Sequence, residues 1–176
     1  MNFFQTALFA ILIAAMSLSA SADESVFKSG PLIKDYGSIA PVPGAEKLPK
    51  DVKFKVAMDA VKRSKPGKTN AVFERTARFL NMHVAAGVPA ENIKLAVVIH
   101  GSAVFDVAND AKYGSENANA ALVKILQEHG VDFYVCGQAA AYHGVGVADL
   151  LPGVKMSISA MTTHALLQQQ GYTLNP

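Results

Sequence analysis

From residue 53 onward, short apolar runs take turns with stretches of helical spacing. Lys53–Met58 alternates polar and apolar positions before turning apolar, which predicts a first strand. Asn70–Ala86 places Phe73, Ala77, Leu80 and Val84 on one helical face, and Gly87 follows where a left-handed cap is expected. Ile93–Ile99 is a nearly continuous apolar run, the pattern of a strand covered on both faces, and it ends at His100-Gly101. Val104–Ser115 reads as a longer polar connection with room for a short helical piece. Asn117–His129 carries Ala118, Ala121, Leu122, Ile125 and Leu126 as one apolar stripe, closed by Gly130. Val131–Val135 is the next strand and runs into Cys136-Gly137. Ala139–Val147 is rich in Ala and Gly and helical only at its start. Val154–Ile158 predicts a fourth strand, Ser159 a cap for a helix to Gln170, Gly171 its end, and Tyr172–Leu174 a short last strand.

Three helices therefore stop at glycine (Gly87, Gly130 and Gly171), each followed closely by an apolar stretch. Strands and helices alternating at this spacing predict an α/β fold of three layers, a mostly parallel sheet with helices on both faces. One domain is expected over residues 51–176. Asp23–Lys50 has Pro31, Pro41, Pro43 and Pro49 together with Gly30, Gly37 and Gly44, and no sustained period. It reads as an irregular arm that lies across the surface or contacts a neighbouring subunit.

Composition narrows the functional classes. The chain is 51% hydrophobic and 17% charged with a net charge of +2, so no broad basic surface argues for nucleic acid. Residues 1–22 contain no charged side chain; an apolar run over Ala7–Met16 precedes Ala20-Ser21-Ala22, a small-x-small cleavage pattern. An apolar core this short followed by small residues predicts a secretory leader rather than a membrane span. The expectation is a periplasmic protein with no membrane attachment once the leader is removed.

Export bears on the chain's one cysteine, Cys136. It has no internal disulfide partner, so it is a buried small hydrophobe, an intermolecular partner or a chemically used thiol. In a parallel sheet the strand ends His100-Gly101 and Cys136-Gly137 fall on one rim, where open α/β sheets place their chemistry. A nearby imidazole and the free N–H groups of a starting helix both favour thiolate, the nucleophile of sulfur exchange. Cys136 and His100 are thus the candidate catalytic residues. Gly101 and Gly137 allow sharp turns that leave the rim open, and Gln138, Tyr113 and His143 are candidates for lining it, with Asn109 and Tyr142 close by. His83, His129 and His164 sit on helices or helix ends and read as structural. No pair of His or Cys has metal-ligand spacing, so neither a metal nor another cofactor is expected.

Gly67-Lys68-Thr69 falls where a phosphate-binding loop would sit, but that motif needs glycine at the position of Lys62. The same stretch gathers Lys62, Arg63, Lys65 and Lys68, which reads as a solvated basic turn or as an attractor of small oxyanions.

Lys94–Gly101, the following helix Ala121–Val131, Asp132–Gln138, Leu150–Ala160 and Ala165–Tyr172 together resemble the DsrE/DsrF-like family, over nearly all of residues 51–174. The resemblance implies a flavodoxin-like three-layer fold and assembly into homo-oligomers, trimers or hexamers. It also implies that the cysteine matching Cys136 carries sulfur as a persulfide, exchanged with a donor or acceptor protein or a small sulfur compound. A sulfur carrier is the first reading; an oligomeric module that binds a small ligand or a protein is the second, and a redox sensor forming an intermolecular disulfide the third.

Overall fold

The computed structural model describes residues 23–175; the leader expected over residues 1–22 lies outside them. The elements follow in the order β1 (Phe54–Ala60), α1 (Ala71–Ala85), β2 (Ile93–Ile99), α2 (Asp110–Tyr113), α3 (Ala120–Glu128), β3 (Asp132–Cys136), α4 (Gly137–Tyr142), β4 (Lys155–Ser157), α5 (Ala160–Gln169) and β5 (Thr173–Asn175). All five strands are parallel, in the order β4-β3-β2-β1-β5. The connection expected to be polar and largely irregular, Val104–Ser115, is more ordered than its composition suggests. A 3-10 stretch over Gly101–Val107 buries Ala103, Val104 and Val107, and α2 follows.

Topology follows from handedness. Steps from β1 to β4 all move the same way across the sheet, and right-handed crossovers put their helices on one face. The step from β4 back past β1 to β5 reverses direction and carries α5 over the other face. Alternation along each strand sorts the side chains accordingly. Val56, Met58, Leu95, Val97, Ile99, Phe133 and Val135 join Phe73, Leu80, Leu122 and Leu126 in the main core. Phe73 and Phe133 meet edge to face at 5.4 Å, and each such fully buried side chain contributes roughly 1.5–3 kcal/mol. The opposite parity, Ala57, Ala96, Val98 and Cys136, packs with Ala160 and Leu167 of α5 in a smaller second core.

Helix ends match the glycine pattern. Gly87, Gly130 and Gly171 have φ of 90°, 78° and 85°, the left-handed conformation that lets each chain leave its helix and enter the next stretch. At the other ends, Asn70 and Ser159 accept N–H bonds from Val72 and Thr162 as N-caps of α1 and α5.

The arm lies across the outer side of α1. Asn81, fully buried, accepts from the N–H groups of Leu32 and Ile33 and donates to the carbonyls of Ile33, Tyr36 and Gly37. Glu74 accepts from Gly37 N–H, Arg78 donates to Ser38 O, and Ile33 inserts into the main core. Apart from a 3-10 turn at Glu24–Val26 and a bridge between Lys28 and Ile39, the arm has backbone groups over residues 32–38 satisfied by one helix. Among the described residues no helix is long and apolar enough to cross a membrane.

Candidate functional site

At the carboxyl end of the sheet, the chain leaves β3 into α4 on the main-core face and leaves β4 into α5 on the other. Neighbouring strands whose connections part in this way open a crevice between them. Cys136 stands at that crevice, paired in register with Ser157 of β4. It is buried, at 6% exposure, and its side chain caps no helix. The next strand inward ends one residue before His100, since Ile99 pairs with Val135. Asp59 lies on β1 opposite Val98. Asp59, His100 and Cys136 therefore share one parity and point to the α5 face from three adjacent strands.

The space they enclose is a cavity of about 370 Å³ whose lining includes Asp59, His100, Cys136, Gln138, Met161 and His164. Asp59 organises its polar side. Its carboxylate accepts from His100 Nε2, 3.1 Å from both oxygens, and from His164 Nε2 at 2.8 Å. A carboxylate only accepts here, so both imidazoles carry their proton on Nε2 and leave Nδ1 as the basic nitrogen. His164 Nδ1 is buried and has no hydrogen-bond partner. Partial burial pushes the Asp59 carboxyl up, but the hydrogen bonds from His164 and His100, helped by their charge when protonated, outweigh it. The net result is a carboxyl held below its usual range.

The residues singled out from sequence fall into two groups. Cys136, His100 and Gln138 line this cavity. Gly101 and Gly137 shape it from outside. Gly101 has φ of +54°, and a Cβ there would come within 2.8 Å of Val61 O; a Cβ on Gly137 would meet Ser157 O at 2.5 Å. Tyr113 and His143 are placed elsewhere. Tyr113 is buried beneath the Arg63 guanidinium, and His143 packs against Phe105 and Tyr142. α4 begins directly after Cys136 as expected, but it is only six residues long, so the field of its N–H groups is small.

Two titratable residues of the cavity, Asp59 and His164, were not assigned to it from the sequence. Asp59 is the one charged position in the last five residues of β1, a signal that was available. His164, taken as structural, instead faces the cavity and holds Asp59; no local pattern on α5 marks it. Among the described residues no group of three or more His, Cys, Asp or Glu is arranged to hold a metal ion.

Residues 54–176 match the DsrE/DsrF-like family. The chain belongs to that family. Two solved structures share the fold. One is a protein of unknown function, MTH1491, from Methanobacterium thermoautotrophicum, with a TM-score of 0.53, 20% identity, and coverage of 70% of this chain and 98% of that one. The other is the YchN protein from E. coli, with a TM-score of 0.52, 14% identity, and coverage of 69% and 99%. No curated protein matches. The common region is the domain that begins at β1; in the present DsrE/DsrF-like chain the arm over residues 23–50 precedes it.

Proposed function

We propose that this protein is an exported sulfur carrier that holds sulfane sulfur as a persulfide on Cys136 during transfer or oxidation of reduced sulfur. The observation that carries the reading is the cavity lined by the thiol together with a carboxylate that holds two imidazoles. Membership in a family associated with sulfur relay supports it, and the leader pattern of residues 1–22 supports the exported setting.

The chemistry uses few groups. The Cys136 thiol gives its proton to an imidazole whose Nδ1 is basic because Asp59 occupies Nε2, and His100 on the adjoining strand is the candidate. The thiolate attacks the outer sulfur of a donor persulfide, R–S–SH. A new S–S bond forms to Cys136, the donor's S–S bond breaks, and R–S⁻ leaves and takes up a proton. No net oxidant is needed, because sulfane sulfur moves at constant oxidation state. The remainder of the cavity lining is largely apolar and includes Ala160, Met161 and Leu174.

Mass spectrometry after incubation with glutathione persulfide tests the proposal. One added sulfur on Cys136, absent in Cys136→Ser, is the expected result. No adduct, together with an alkylation rate that follows an ordinary thiol titrating near about 8.5, sinks it.

A further inference from the structure

A second and larger cavity, of about 510 Å³, lies on the far side of Asp59. Its lining comes from Asp59 near the end of β1, from the loop joining β1 to α1 and from the first two turns of α1, and includes Lys62, Arg63, Lys65, Lys68 and Arg75. We infer that this loop is a binding site for a small tetrahedral oxyanion of the sulfate, thiosulfate or phosphate class. Cys136 lines only the other cavity, while Asp59 borders both.

The loop has a defined shape set by a buried polar network. Asp106, fully buried, accepts from the Ser64 N–H, the Ser64 hydroxyl and the Asn70 side-chain amide. Asn119, also fully buried, accepts from the Asn70 N–H and donates to Ser64 Oγ, while Asn70 donates to Lys62 O. A buried carboxylate with three donors is costly to assemble and holds Lys62–Asn70 in one conformation. Within it, Lys68 N–H donates to Lys65 O at 3.0 Å, and Gly67 has φ of +69° after Pro66. That is a type II turn, which brings Lys65 and Lys68 to its two ends, within about 7 Å of each other.

The charges of Arg63, Lys62, Lys65 and Lys68 meet no carboxylate partner among the described residues. Arg63 is held in place by a 2.6 Å bond to Tyr113 O and by the faces of Phe105 and Tyr113, none of which carries negative charge. The nearest carboxylates are already committed. Asp59 accepts from both imidazoles, Asp106 from the loop itself, and Glu74 from Thr69 and from Gly37 of the arm. The α1 N-terminus adds little, because Asn70 Oδ1 already takes the Val72 N–H. Attraction for an anion comes from converging cationic side chains around a concave, rigid loop. Several cations on one concavity match an anion that presents several oxygens at once.

Amide chemical shifts of ¹⁵N-labelled protein, followed during titration with sodium sulfate, sodium thiosulfate or sodium phosphate at constant ionic strength, test this. Saturable shifts centred on residues 62–72, with a Kd in roughly the millimolar range or tighter, are expected. The exposed pair Lys65→Ala/Lys68→Ala should weaken binding about tenfold, Lys65→Arg/Lys68→Arg should retain it, and Lys47→Ala/Lys50→Ala on the arm should leave it unchanged. Cys136→Ser should bind as the parent does, so failure of persulfide loading and failure of oxyanion binding are read separately. Tighter binding of thiosulfate or of phosphate supports the site equally and names which oxyanion it prefers. Shifts that do not saturate, that sodium chloride reproduces, or that survive Lys65→Ala/Lys68→Ala overturn the inference.

Discussion

Asp59 and His164 meet across 105 residues of chain, Nε2 to carboxylate oxygen at 2.8 Å, on the face of the sheet that α5 covers. The contact ties α5 to the end of β1 and fixes the tautomer of an imidazole that shares the cavity with Cys136. His100 meets the same carboxylate from the adjacent strand. One acidic side chain therefore positions two basic ones around a single thiol.

Replacing that side chain separates stability from reactivity. Asp59→Asn keeps the size but presents an amide that can satisfy one imidazole through its oxygen and confronts the other with its NH₂ group. Stability should fall by about 1–3 kcal/mol in urea denaturation, and persulfide loading of Cys136 should slow by at least about tenfold. His100→Ala should change the pH profile of Cys136 alkylation. His164→Ala should act chiefly on the urea midpoint.

The depressed Asp59 carboxyl makes a signed prediction about acid. A carboxylate whose folded pKa lies below its unfolded value adds stability that is fully present above the unfolded value of about 3.9. That contribution is lost as pH falls through the lower folded value. Urea midpoints measured between about pH 5 and pH 3 should fall more steeply for the parent than for Asp59→Asn, with the two curves converging at the acid end.

The arm depends on one amide. Asn81→Ala removes the acceptor for Leu32 and Ile33 and the donor to Ile33, Tyr36 and Gly37. A loss of about 3 kcal/mol is expected from several buried backbone groups left without partners. Limited proteolysis should then cut within residues 23–50 well before the domain unfolds.

Gly137 keeps β3 and β4 together beside the thiol. Gly137→Ala would drive a Cβ to 2.5 Å from Ser157 O, so the strand ends must separate. A cost of about 1–3 kcal/mol follows from overpacking. Cys136, paired with Ser157, should become faster to alkylate in the native state.

Much of the architecture was readable because its causes are local. A helical stripe such as Ala121, Leu122, Ile125 and Leu126, or an apolar run such as Ile93–Ile99, carries its own period, and glycine at 87, 130 and 171 marks where each helix must stop. The candidate thiol was readable for the same reason, as the last residue of a strand before glycine. Tyr113 and His143 show the limit of this reasoning. Nearness in sequence to His100 or Cys136 did not bring them to the cavity, because the 3-10 stretch after Gly101 and the short α4 turn them toward Phe105 and Arg63.

By itself, then, the sequence determined the elements, their parallel βα order and the strand-end position of Cys136, since periodicity, capping and backbone freedom act over a few residues. Tertiary structure alone decided that Asp59, His100 and His164 form one cluster beside that thiol. The three lie on β1, on the end of β2 and on α5. Only the registers of neighbouring strands, and the reversal that carries α5 across the second face, bring them within hydrogen-bond distance.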